Sequence, residues 1–332
     1  MDDKNNEIFR QYELKVFNVY RARGAYVLET NQGLKLLKGF EGSKNHLDYE
    51  NRIKNVLVER GFQNVDLYVA NKSGELISQD SNGGRYIVKD WFVGEECNLR
   101  DIGDVKRAIR NLAHLHKPMK HISLSEEEHK HYSQIMLTTI YEKHNRELKR
   151  VRTYIKDKKQ RNEFEATFLT IFNPFYEQGV RALELIRESD YEELYQKALS
   201  EENICHGNYT YHNIVFMKSD EATTNFEKAL IGVQVADIYQ FLRKTMEKNN
   251  WNFEYGNAIL EEYSKESPLT KEELKLLYIM LLYPEKFWKV TNYYYNNKKS
   301  WISQRNIQKL LGISDQREVK DAYLDHLFKE IQ

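Results

Sequence analysis

His206-Gly207-Asn208-Tyr209-Thr210-Tyr211-His212-Asn213 is the stretch on which the reading of this chain turns. It lies in a short apolar and aromatic segment, Ile204 to Phe216, that interrupts long helical patterns. A turn-rich stretch, Lys218 to Asn225, leads to a second short strand-like piece, and helices resume near Val235 and run to the end. The polar residues of this insert fall at fixed intervals: Asn213 five residues after Asn208, Asn225 seventeen after Asn208, and Asp237 twelve after Asn225.

Upstream of the insert the pattern is helical from Asp104, where Val105, Ala108, Ile109, Leu112, Ala113 and Leu115 make one apolar face. His114 and His116 stand two apart on this helix and do not share a face, which argues against a metal pair. Lys and Glu crowd residues 126 to 165, the pattern of a solvated helical pair with i, i+4 charge partners.

Before residue 92 the periodicity is different. Residues 12 to 40 alternate as strands do, beginning at Tyr12, Leu14 and Val16, and Asn31-Gln32-Gly33 between two apolar runs predicts a hairpin. Ser43 to Arg60 carries Tyr49, Ile53, Val56 and Leu57 at helical spacing and is stopped by Gly61. Further strands are expected at Leu67 to Ala70 and Arg85 to Trp91. The fold class expected is α+β and bilobal: a β-rich lobe with one helix over 1–92, and a helical lobe carrying the insert over 93–332. A chain of 332 residues exceeds what a single core normally supports, which also favours two lobes.

Lys plus Arg and Asp plus Glu number 50 each, so no global field draws the protein to nucleic acid or an anionic membrane. The start, MDDKNNEIFRQYELKV, is charged throughout, and the longest apolar run, LLYIMLLY over 276–283, is too short for a membrane span. A protein that is cytoplasmic when made is expected. Cys97 and Cys205 have neither zinc nor redox-pair spacing and are read as free thiols. The 23 tyrosines suit a protein-binding surface or an ordinary core and rim alike.

The insert resembles the catalytic loop of the aminoglycoside phosphotransferase and choline kinase class, whose pattern is His-Gly-Asp, four residues, then Asn. The resemblance implies a protein-kinase-like fold. It makes His206 and Asn208 the catalytic positions, with Asn208 where the family's Asp accepts a hydroxyl proton. It makes Asn213 and Asn225 the magnesium positions, and Asp237 the buried structural Asp at a helix start. Both substitutions, at 208 and 225, remove a negative charge while nearly keeping shape. An amide is no base near neutral pH, and general-base help is worth about 10² to 10⁴ in rate. Magnesium prefers carboxylates, so this site offers it none.

In the first lobe the resemblance assigns Lys38 and Glu50 to the ion pair that positions ATP phosphates, with Lys35 competing for the lysine role. Asp90, Trp91 and Phe92 open the hinge whose backbone meets adenine, and His212 is a loop hydrogen-bonder. Tyr283-Pro284-Glu285-Lys286-Phe287-Trp288, then Tyr293-Tyr294-Tyr295 and Lys298-Lys299-Ser300-Trp301, resemble the CotS-type spore coat proteins of endospore-forming Firmicutes. That implies synthesis in the mother cell, incorporation into the spore coat, and other coat proteins as partners. The expectation is a pseudokinase that holds ATP, if at all, with magnesium weak or absent. Against it stands a working kinase in which another carboxylate, Glu227 being nearest, replaces Asn208 or Asn225.

Overall fold

The computed structural model describes residues 3–22, 24–296 and 304–331; the Lys298-Lys299-Ser300-Trp301 segment lies outside them. After helix α1 (Asp3–Phe9) the first lobe builds an antiparallel sheet from β1 (Val16–Ala22), β2 (Ala25–Thr30), β3 (Gly33–Gly39), β4 (Ile77–Gln79) and β5 (Arg85–Asp90), in the order β1-β2-β3-β5-β4. Gly33, at φ +84°, supplies the left-handed turn residue that the Asn-Gln-Gly signal called for. Between β3 and β4, α2 (Lys44–Glu59) starts at an N-cap, Ser43, whose side chain accepts from His46 N, and gives way to Gly61 at φ +93°.

Two boundaries differ from expectation. The first strand begins at Val16, and Tyr12 instead packs with Ile8 of α1 beneath Leu28, Leu37 and Val88. Leu67 to Ala70 does not form a full strand. The free edge of β5 is shared: Lys89 bridges to Tyr68, while Arg85 to Ile87 pair with β4, with a turn at Asn71 to Glu75 between.

The second lobe runs β6 (Glu95–Glu96), α3 (Ile102–His116), α4 (Glu126–Tyr132), α5 (Leu137–Asp157), α6 (Glu163–Arg187) and α7 (Tyr191–Ser200). The insert follows as β7 (Ile204–Cys205), β8 (Ile214–Phe216), β9 (Glu221–Thr223) and β10 (Leu230–Ile231). The chain ends in α8 (Val235–Lys248), α9 (Phe253–Glu266), α10 (Lys271–Leu282), α11 (Glu285–Asn296), α12 (Gln304–Asp315) and α13 (Arg317–Ile331). The charged region is less solvated than its composition suggests. Leu148 and Ile155 of α5 and Phe164, Phe168 and Phe172 of α6 close a second core with Phe287 and Leu310, and most charges occupy the opposite faces, while Glu165 is buried and paired with Lys158.

The two lobes are joined through more than the chain crossing at residue 92. Tyr49, Ile53 and Leu57 of α2 belong to the same main core as Val105, Leu112, Ile238 and Phe241. Just past the crossing, β6 pairs with β8, and Gly94 lies so close that an added Cβ would sit 2.3 Å from Phe216 O. Cys97 and Cys205 are both buried, and burial pushes the Cys97 thiol up to about 12. Among the described residues no helix is long and apolar enough to cross a membrane.

Candidate nucleotide and catalytic site

Asp237, fully buried in the first turn of α8, organises the insert. Its carboxylate accepts from His206 N at 2.6 Å and Gly207 N at 2.8 Å, and His116 Nε2 stands 3.2 Å away. Charge-assisted bonds of this kind are the strong ones. Gly207 has φ +70°, and a Cβ there would lie 1.9 Å from Lys228 O, so glycine is required on two counts. His206 is held by Asn208 N, which donates to Nδ1 at 3.2 Å, and by Thr224 O, 3.1 Å from Nε2. That places the ring proton on Nε2. Burial pushes the pKa of His206 down, against the pull of Asp237. Its role in this geometry is to shape the loop.

The side-chain amides of Asn213 and Asn225 meet each other, and Asn208 joins them through its backbone carbonyl. Asn213 Nδ2 donates to Asn208 O at 2.9 Å, and Asn225 Nδ2 donates to Asn213 Oδ1 at 2.8 Å. Asn225, at φ +63°, occupies the left-handed region, which Asn tolerates better than most side chains. Its Oδ1 accepts from Lys89 Nζ at 2.7 Å, and its N–H donates to Asp66 Oδ2 at 3.0 Å.

Behind Asn225 lies a buried network that sequence reading did not find. Lys89 Nζ is 2.5 Å from Asp66 Oδ2, Lys54 Nζ is 3.0 Å from Asp66 Oδ1, and Lys54 is 2.6 Å from Glu50. All four side chains are at most 2% exposed. Burial alone would raise the Asp66 carboxyl, but Lys54 and Lys89 outweigh it and hold it at about 2. Burial would likewise lower Lys89, and Asp66 reverses that and raises it. The available signals were a lysine four residues after Glu50 on the buried stripe of α2, and a lysine alternating with Ile87 in an apolar strand.

The expected Lys38 to Glu50 pair is therefore not formed. Glu50 turns to Lys54, one helical turn along, while Lys38 Nζ reaches Glu227 Oε1 at 2.8 Å. Burial raises the Glu227 carboxyl, and the Lys38 bond and charge more than offset this, leaving it below the ordinary range. Lys38, Glu50, Tyr68 and Glu227 still line one cavity of about 890 Å³ under the β1–β2 turn at Gly24. Lys35 is not a competitor: it lies on the opposite face of the sheet and pairs with Asp90. The carboxylate of Asp90 thus points away from the cleft, and the backbone N–H groups of Asp90 and Trp91 already donate to Leu67 O and Leu34 O. Trp91 is half-buried against Ala25, Val27 and Leu36, an apolar floor on the cleft side, and Phe92 is also half-buried beside it.

Asn208 opens onto a second cavity, of about 410 Å³, with Tyr141, His144, Tyr239, Tyr283 and Glu285. Glu285 is the one carboxylate among the described lining residues. Burial raises it, but Arg243 and Lys289 prevail and hold it at about 2, and Tyr239 OH donates to it. Burial pushes His144 down to about 4, where its ring stacks on Trp288 at 3.4 Å. Neither group is a good base at neutral pH. His212 Nδ1 lies 2.8 Å from Glu96, and His114 bonds Glu266, well away from Asp237.

Magnesium, which the fold's catalytic chemistry uses, does not fit these residues. The Asn213 oxygen accepts from an amide and the Asn225 oxygen from an ammonium. Two unit charges about 4 Å apart at an effective dielectric near 20 interact by about 4 kcal/mol, and a divalent partner doubles that repulsion. Among the described residues no group of three or more His, Cys, Asp or Glu side chains is placed to hold a metal.

The chain is similar to known proteins over nearly its whole length. It is 23% identical over 315 residues to spore coat protein S of Bacillus subtilis (strain 168), covering 93% of this chain and 89% of the relative. The crystal structure of an aminoglycoside phosphotransferase from Alicyclobacillus acidocaldarius superposes with a TM-score of 0.86 at 16% identity, covering 98% of this chain and 96% of that one. Spectinomycin phosphotransferase gives 0.64 at 12% identity, covering 96% and 98%, and choline kinase from Cryptosporidium parvum gives 0.50 at 14%, covering 96% and 91%. These structures show the kinase-like fold. A family model described as "Spore coat putative kinase YutH" matches residues 5–327, and the chain belongs to that spore coat family.

Proposed function

We propose that this protein is a component of the spore coat that keeps the kinase fold and has lost phosphoryl transfer. The observation that carries the reading is the absence of a competent base at Asn208. Its side chain is an amide, and Glu285, the carboxylate sharing its cavity among the described residues, is held ionised and poorly basic by Arg243 and Lys289. Glu227, the nearest stand-in on the phosphate side, is engaged by Lys38. A site that neither takes the acceptor proton nor holds magnesium through a carboxylate lacks two contributions that phosphoryl transfer draws from the protein.

The role in the coat is proposed with the family match as its support: synthesis in the mother cell, then assembly with other coat proteins. The ligand proposed for the remaining cleft is ATP without metal, with Lys38 in its cavity as the phosphate contact.

Thermal melting with ATP, with and without magnesium, alongside a phosphate-release assay, tests the reading. The expected result is a melting shift independent of magnesium and no turnover above background. A magnesium-dependent shift with ATP turnover overturns it in favour of a working kinase that uses Glu227.

A further inference from the structure

We infer that Lys89 is a built-in cation standing in for the divalent ion of the cleft, and that it bars metal even where the lost carboxylates are restored. This deepens the proposed function and rests on it. Lys89 projects from the cleft face of β5, opposite Leu36, and is 1% exposed. Its ammonium is gripped from both lobes: Asp66 Oδ2 at 2.5 Å from the first and Asn225 Oδ1 at 2.7 Å from the second.

The grip is braced on every side. Asp66 is fixed by Lys54 and by the Asn225 N–H, and the Asn225 amide is aimed by its left-handed backbone and by its bond to Asn213. Glu50, Lys54, Asp66 and Lys89 make a cluster of two negative and two positive charges, neutral as it stands. An aspartate at position 225 finds an ammonium already bonded to one of its oxygens, so the new charge is spent on an ion pair and a metal approaching the other oxygen meets the ammonium's repulsion. The neutral amide and the lysine thus act together in this cleft, a tethered ammonium occupying the place of a mobile metal. The ligand class that follows is a nucleotide or other phosphate ester in metal-free form.

The test uses Mn²⁺ alone, with the unbound ion counted by electron paramagnetic resonance, on the full chain. Three proteins are compared: the natural one, N208D/N225D, and N208D/N225D/D66N/K89M, in which Asp66 and Lys89 are removed together to keep the cluster neutral. The first two are expected to leave Mn²⁺ free, and the third to bind it tighter by about 100-fold or more. Equal binding by N208D/N225D and the fourfold variant overturns the role of Lys89 while leaving the idle-site reading intact. No binding by a folded fourfold variant overturns it as well. Binding by the natural protein, with ATP turnover, sinks both. Should the fourfold variant not fold, N225D decides: its melting temperature is expected to be the same with and without Mn²⁺, and an Mn²⁺-dependent rise overturns the inference.

Discussion

Asp66 has no counterpart in the pattern that led to the site, yet it holds the most consequential charge in the cleft. Its pKa, about 2 in the folded chain, lies below the ordinary value near 4, so the stability it contributes is complete above about pH 5 and is lost as pH falls toward 2. D66N is expected to be destabilised at neutral pH, and its deficit relative to the natural protein should shrink by on the order of 2 kcal/mol between pH 6 and pH 2. Urea unfolding at a series of pH values checks this; a deficit constant with pH contradicts the assignment.

Residues 206 to 213 were legible because a catalytic loop is local: its spacing is set by one turn of chain, and a single sequence displays it. The Lys38 to Glu50 pair was misread because its outcome depends on competition. Periodicity places Glu50 on the inward face of α2, but Lys54 shares that face and is nearer. Which ammonium prevails depends on Asp66 and Lys89, brought in from β5 and the segment before it.

Among the elements, α2 has the widest reach. One face carries Glu50 and Lys54 to the sheet, and the same helix sends Tyr49, Ile53 and Leu57 into the core of the other lobe. Leu57 is wholly buried, so Leu57→Ala is expected to cost about 3 kcal/mol through lost burial and the cavity left behind. The loss should be seen equally in chemical denaturation by near-ultraviolet dichroism and by the fluorescence of a variant that keeps Trp91 as its one tryptophan, because the helix serves both lobes. The strand at β4 was illegible for a related reason. Two segments share the edge of β5, and the alternation of residues 67 to 70 could not show that the pairing passes on to Ile77–Gln79.

For the molecule as a whole, the chain passes near residue 92 from an antiparallel sheet to a mainly helical part, yet the two share one core. A fragment of residues 1–92 would expose the α2 face that the helical lobe covers, and would leave Lys89 without Asn225. It is expected to stay unfolded by circular dichroism, and the full chain is expected to melt in one transition. A cooperative melt by the fragment alone would count against a shared core.

A working kinase opens and shuts its cleft with each turnover. Here the crossing at Gly94 is stitched to Phe216 by strand pairing, and the opposite lobes share one buried ammonium through Asp66 and Asn225. To gape, the halves would have to part that ammonium from Asn225, leaving it on Asp66 alone. Fastened at both places, the protein is expected to move as one rigid body and not about a hinge.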